Sequence, residues 1–251
     1  ARQLPWHLWS GWRTVDRLEI ALSTPQGRRR DRIYQQQVRV LVVLGNSEGI
    51  DIEADRQLLA EYCRGADLTV LSEPTRSQLS DRLLDKRGWD ILFFSGHSST
   101  EGNGTRGRIW LNRNDSLTMV ELRRELQTAI AGGLQLAVFN SCDGLGTAAE
   151  LETLYIPHAI FMRQPVPDRV AQTFLKYFLA AFTGGASLAR SVNIARDRLQ
   201  ELETEFPCAS WLPVLIQNRL AIPPTWQSLG AIANCPYRGL AAFAEEDKDY
   251  F

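Results

Sequence analysis

Two apolar runs in the sequence each end in a side chain able to take part in nucleophilic chemistry. Residues 89–100, WDILFFSGHSST, carry a hydrophobic stretch into a small polar corner that holds His97. Residues 134–142, LQLAVFNSC, do the same with Cys142, 45 residues after the histidine. Cysteine with histidine is the minimal pair for acyl transfer: the imidazole takes the thiol proton or holds the thiolate, and later protonates the leaving amine. The flanking residues suit that task. Gly96, Ser98 and Ser99 are small, so backbone can approach a substrate closely. Asp143-Gly144 invites a turn, and a helix beginning near Thr147 would favour negative charge at its start. The backbone N–H groups of Ser98 and of Cys142 itself are natural donors to an oxyanion.

For these two residues to meet, their strands must be neighbours. VRVLVVLG (38–45) is β-branched and uninterrupted, which predicts a buried strand closed by Gly45-Asn46. DIEADRQLLAEYC (51–63) has helical spacing behind an acidic first turn, ADLTVLSEP is a second strand, and 75–87 is a helix with Thr75 as N-cap. WDILFFSG is the third strand, 106–114 a short hairpin arm, and SLTMVELRRELQTAIAGG (116–133) a helix closed by two glycines. LQLAVFNSC is the fourth strand, followed by a helix over 146–155, a strand over 158–166, helices over 167–185 and 187–203, and a last strand over 210–218. Strands alternating with helices predict an α/β fold whose mostly parallel sheet is covered on both faces. Strand ends joined by one crossover are commonly adjacent, and ligands gather at the carboxyl ends of such strands. That points to three places: Gly45 to Ser47, Ser95 to Thr100, and Asn140 to Gly146.

The remaining residues read more plainly. The aromatic-rich segment 4–23 predicts a leading β-hairpin, and the basic, polar stretch after it a solvated loop. Cys63, Cys208 and Cys235 are read as packing residues, and His7 and His158 as core or interface histidines. A net charge of −1 gives no global field for nucleic acid, and no apolar run is long enough to span a membrane. Four cysteines without a CxxC spacing fit a reducing cytoplasm. SGHSSTEGNGTRG lacks the GxxxxGK[ST] pattern of a phosphate cradle, and His97, Cys142 and Asp143 would be an odd metal ligand set. No metal or cofactor is expected.

Taken together, ILFFSGHSS and LAVFNSCDGLG resemble the His and Cys motifs of clan CD, caspase-like peptidases, and more narrowly those of the separase-related CHAT domain. LPWHLW, VRVLVVLG with its acidic helix, and AIFMRQPVPDRVAQTFLKYFLAAFTGGASLARSVNIAR resemble, in order, further segments of that family, so that the likeness runs over residues 4–218. The resemblance implies a caspase-like three-layer α/β/α sandwich with a mostly parallel sheet and an N-terminal β-hairpin. It implies a cysteine endopeptidase acting on protein substrates, with His97 as general base and Cys142 as nucleophile. The family usually has Gly after the histidine and Ala before the cysteine, where this chain has Ser98 and Ser141; a side chain at 98 would reshape the oxyanion pocket. In the separase-like branch an acidic residue near the end of the fifth strand binds a basic P1 side chain. Asp168 and Asp143 are the acids in reach here, although Asp168 is also read as the N-cap of the next helix.

Beyond AIPPTW (221–226), read as a linker, CPYRGLAAFAEEDKDYF (235–251) resembles the segment that opens STAND-type NTPase domains. This divides the chain into a CHAT domain over 1–222 and, over 223–251, a linker with the beginning of a truncated NTPase domain. Both ends are read as cuts from a longer protein. The CHAT domain would then be the effector of a signalling or defence switch, partnered by the adjoining NTPase and sensor region and homo-oligomeric on activation. Two other readings stay open: a CHAT-fold interaction module without catalysis, and an acyl or redox thiol enzyme on a flavodoxin-like sheet.

Overall fold

The structure, a computed structural model, describes residues 22–23, 37–101, 106–141 and 154–230. In chain order its elements begin with β1 (Leu22–Ser23), β2 (Arg39–Leu44), α1 (Ile52–Tyr62), β3 (Asp67–Ser72), α2 (Arg76–Leu83) and β4 (Ile91–Gly96). There follow β5 (Ser98–Glu101), β6 (Arg106–Trp110), β7 (Ser116–Thr118), α3 (Arg123–Ala131), β8 (Leu136–Ser141) and β9 (His158–Met162). The chain continues with α4 (Asp168–Thr183), α5 (Leu188–Gln200), a 3-10 turn (Ala209–Trp211), β10 (Pro213–Gln217) and α6 (Trp226–Leu229).

Among the described residues, seven strands form one sheet in the order β1-β10-β9-β8-β4-β2-β3. All neighbours run parallel except β10 with β9. β2 and β4 are apolar on both faces because helices cover both. Val40, Val42, Leu44, Phe93 and Val138 pack against α1, α4 and α5, whereas Leu41, Val43, Phe94 and Phe139 pack against α2 and α3. Along α4 the spacing of four places Phe174, Phe178 and Phe182 in one stripe, with ring centroids 5.8 and 5.5 Å apart. Each such burial contributes about 2 kcal/mol. The one charged residue in β2, Arg39, is buried but satisfied: it pairs with Asp67 and Asp85, donates to the Gly88 carbonyl and lies 4.1 Å over the Trp89 ring.

The layered α/β architecture expected from the sequence is the one observed, with local differences. The helix predicted over 116–133 is split. Ser116–Thr118 pairs with β6, and the helix begins only at Arg123. Thr118 and Glu121 explain the break, since the Glu121 carboxylate accepts from the Thr118 N–H and hydroxyl while the Thr118 hydroxyl accepts from the Glu121 N–H. The predicted arm at 106–114 is the middle strand of a separate antiparallel sheet, β5-β6-β7. The helix begun at Thr75, with its capping box to Gln78, stops at Leu83 rather than continuing to 87. Asp85 is turned there to meet Arg39 and the Arg87 N–H.

Cys63 is buried as expected, which pushes its thiol up to about 12. Cys208, expected in the core, is instead exposed, in a left-handed turn (φ 65°) that enters the 3-10 segment. His158 is fully buried, its Nδ1 donating to the Gln135 carbonyl, and burial holds it down at about 4. Beyond the AIPPTW stretch, α6 packs on the same core: Trp226 meets Phe182 edge-on and Leu229 is buried. The expected hairpin over 4–21, the helix over 146–153, His7 and Cys235 lie outside the described residues.

Candidate active site

The carboxyl ends of β2, β4 and β8 meet one corner of the small antiparallel sheet. The Gly45 N–H donates to the Ser95 carbonyl at 2.7 Å and the Asn46 N–H to the Trp110 carbonyl at 2.9 Å. His97 is held on both sides: its N–H donates to the Asn46 carbonyl (3.3 Å) and its carbonyl accepts from the Trp110 N–H (3.0 Å). This crossing requires glycine at 45, where a Cβ would lie 2.3 Å from the Trp110 carbonyl oxygen. Gly96 meets it from the other strand, at φ +149° and with any Cβ 3.0 Å from the Gly45 Cα.

The His97 ring is half-buried, and its Nε2 lies 2.6 Å from the Glu48 carbonyl oxygen. A carbonyl can only accept, so Nε2 carries the hydrogen and the neutral ring presents its lone pair at Nδ1. The loop that supplies this carbonyl is itself fixed, with the Asn46 Oδ1 accepting from the Glu48 N–H (2.9 Å) and the Ser47 carbonyl accepting from the Ile50 N–H (3.0 Å). Asn46 and Glu48 thus act on His97 through backbone groups, a role that their side-chain chemistry does not advertise; only the position of 45–47 at a strand end pointed there.

β4 and β8 are paired through to their last residues, Ser95 with Asn140 and Gly96 with Ser141. The next residues in the chain are His97 and Cys142. Cys142 and Asp143 lie outside the described residues. Ser98 opens β5 opposite Ile109, one step beyond the Trp110–His97 hydrogen bond. That is the non-hydrogen-bonded position of an antiparallel ladder, which directs its N–H away from β6.

Beneath this corner is a buried polar cluster that sequence reasoning missed. Asp55, on the first turns of α1, is 3% exposed. Its Oδ2 accepts from the Ser95 hydroxyl at 2.5 Å and from the Asn140 amide at 3.0 Å, while its Oδ1 and the Asn140 Oδ1 have no partner. Burial raises its pKa to about 6, the two hydrogen bonds oppose this, and the charges of Asp168 and Asp51 add to the rise. Asp168 is the first residue of α4, with Pro167 at the N-cap, so it does not cap its own helix. Its carboxylate reaches the Asp51 N–H (2.9 Å) and joins the starts of α1 and α4. Asp51 caps α1, its side chain accepting from the Ala54 N–H.

A carboxyl whose pKa is raised on folding stabilises the fold fully below its unfolded value, near 3.8, and loses that contribution as pH rises through about 6. Above that, ionised Asp55 costs about 3 kcal/mol. Asp55→Asn keeps the acceptor for Ser95 and Asn140 and removes the charge. Its unfolding free energy should match that of the parent protein near pH 4 and exceed it by about 3 kcal/mol at pH 7–8, measured by denaturant titration at each pH. His158 has the opposite sign, losing stability as pH falls from 6.5 through about 4, but it is common to both proteins and cancels in the difference. A gap that does not change with pH would remove the charge argument.

Among the described residues no helix is long and apolar enough to cross a membrane, and no three His, Cys, Asp or Glu side chains form a group that could hold a metal ion. A mostly parallel sheet between two helical layers, with a histidine corner at its carboxyl edge, is the caspase-like α/β fold. The CHAT domain profile matches residues 3–219, and the chain belongs to the CHAT domain family. Among solved structures it is similar to the Arg-specific cysteine proteinase gingipain R, with a TM-score of 0.53 and 9% identity over 77% of this chain and 50% of that one. It is also similar to the Drosophila initiator caspase Dronc, with a TM-score of 0.46 and 9% identity over 83% of this chain and 96% of the caspase. The chain therefore spans about half the length of gingipain R. No curated protein matches it in sequence.

Proposed function

We propose that the protein is a cysteine endopeptidase in which His97 and Cys142 form the dyad. The observation that carries this reading is the register of β4 and β8, whose last paired residues, Gly96 and Ser141, immediately precede His97 and Cys142. The Glu48 carbonyl completes the histidine's environment, leaving Nδ1 as the base. In the reaction His97 accepts the Cys142 thiol proton, and the sulfur attacks the scissile carbonyl carbon while its π electrons move to oxygen. The oxyanion takes hydrogen bonds from the N–H groups of Ser98 and Cys142. Collapse breaks the C–N bond as His97 protonates the leaving amine. Water, deprotonated by His97, then attacks the thioester and releases the acid and the free thiol.

The likeness of 235–251 to the opening of a STAND-type NTPase supports a further part of this proposal. The peptidase is the effector of a larger signalling or defence protein, switched on when the adjoining NTPase and sensor drive assembly. Cys142→Ala should abolish peptide cleavage with folding intact, and an electrophilic peptide ketone should label the parent protein at Cys142 but not the His97→Ala variant. Cleavage that survives Cys142→Ala in the activated protein would refute the dyad, whereas an activated parent protein that neither cleaves peptide nor is labelled at Cys142 would leave the interaction-module reading standing.

A further inference from the structure

Two buried arginines converge on the start of β10. Arg163 follows the last residue of β9 and is 6% exposed, and Arg196, on α5, is 5% exposed. Their hydrogen bonds go to one short stretch of backbone. The Arg163 Nε donates to the Trp211 carbonyl at 3.0 Å, and the Arg196 Nε and Nη2 donate to the Pro213 carbonyl at 3.2 and 2.7 Å. The Arg196 Nη1 adds a bond to the Asn193 Oδ1 at 3.1 Å. Among the described residues, neither guanidinium meets a carboxylate in an ion pair. Glu203, in the same turn, is committed to Ser210, its Oε1 accepting from both the N–H and the hydroxyl. Burial lowers Arg163 to about 10. Burial, and then the charge of Arg163, lower Arg196 to about 10 against the opposing charge of Asp197. Both arginines therefore stay cationic at neutral pH, and each feels the other.

What this corner lacks is an acceptor. The Arg163 Nη1 and the Trp211 Nε1 are buried donors without a partner. Guanidinium and indole N–H groups can only donate, and buried donors are almost always paired. Two neighbouring cations with orphaned donors call for a ligand that accepts hydrogen bonds and carries negative charge; a water molecule would supply the first and not the second. The Arg163 Cζ lies 5.4 Å from the Trp211 ring centroid. One oxyanion spans that separation with hydrogen bonds of about 2.8 Å to each group. Trp211 is half-buried, so the cluster reaches the surface there. We propose that Arg163 and Trp211, backed by Arg196, form a binding site for one small oxyanion of the phosphate, sulfate or carboxylate kind. The site goes beyond the peptidase reading and does not depend on it, since β9 and β10 stand two and three strands away from β4. The Arg163 N–H already donates to the Leu212 carbonyl at 2.9 Å. A bound oxyanion adds a second tie between the exit of β9 and the entry of β10.

The test is thermal unfolding of the whole chain with phosphate, sulfate or acetate, at a constant ionic strength set with chloride. A ligand bound only by the folded state raises the melting temperature as its concentration rises, and at least one of the three should do so in the parent protein. The one that binds most tightly identifies the kind of oxyanion the site prefers. Arg163→Gln removes the charge and keeps an amide to donate to the Trp211 carbonyl, and it should weaken that binding about 30-fold. Trp211→Phe keeps an aromatic ring and loses one neutral donor, and it should weaken binding about fivefold. A second readout needs only the parent protein, isotope-labelled for NMR. The indole N–H signal of Trp211, identified by its loss in Trp211→Phe, should move on titration with the same oxyanion. Should Arg163→Gln fail to fold, that signal decides alone. A Trp211 signal that stays in place with all three anions overturns the site. So does a melting shift of equal size in the parent and both variants, which is a general salt effect.

Discussion

His97→Ala is expected to lower kcat/KM for peptide cleavage by about a thousandfold or more, with little change in the melting temperature. The size follows from the loss of both proton transfers, thiol to base and acid to leaving amine, that one imidazole performs. The small effect on folding follows from how the residue is held. His97 is anchored by its backbone, through the Asn46 carbonyl and the Trp110 N–H, and both bonds survive truncation of the ring. Only the contact of Nε2 with the Glu48 carbonyl is lost, on a half-exposed side chain. Added imidazole gives a second readout, since it should restore part of the activity to the variant. Unchanged turnover, or a loss explained by unfolding, would remove His97 from the mechanism. Because a carbonyl fixes the ring through Nε2, His97→Gln cannot reproduce the Nδ1 lone pair and should be as slow as the alanine variant.

How far this site could be read from the sequence depends on the range of the forces that built each part. β2, β4 and β8 are legible because each is buried on both faces, so every residue from Val40 to Leu44 had to be apolar. His97 was legible for the complementary reason, that it interrupts such a run. The break at Thr118–Glu121 was encoded locally but hidden within an otherwise helical pattern, and the ladder with β6 decided it. Asp55 was not legible. In sequence it is one more acid in the first turn of an amphipathic helix, beside Asp51 and Glu53. What makes it different is contact with Ser95 and Asn140, 40 and 85 residues away. Asp168 fell between these cases: the acid at the start of a helix was readable, but its partner, the Asp51 N–H 117 residues distant, was not.

The same dependence on distant contacts makes Gly45 the position where fold and chemistry fail together. A Cβ there would sit 2.3 Å from the Trp110 carbonyl oxygen and 3.0 Å from two carbons of the Phe94 ring. Neither can yield easily. The carbonyl belongs to β6 and accepts the Asn46 N–H, and Phe94 is a core residue, 2% exposed and 6.2 Å from the Phe139 centroid. Gly45→Ala must therefore push β6 off the end of β2, breaking the Asn46–Trp110 hydrogen bond and overpacking the core beneath it. The two effects together should destabilise by about 3 kcal/mol. The shift passes through Trp110 and Asn46 to the two backbone bonds of His97, so kcat should fall by more than the loss of folded protein accounts for. Gly65→Ala is the control. Its φ of +84° is also strained for alanine, yet a Cβ there meets nothing within 4 Å, and it is remote from the histidine corner. It should cost about 1 kcal/mol and leave turnover per folded molecule unchanged. If both variants lost stability alike and neither lost specific activity, the clamp on His97 would be packing only. A selective loss in Gly45→Ala would show that the close crossing of β2 and β6 is what aims the imidazole.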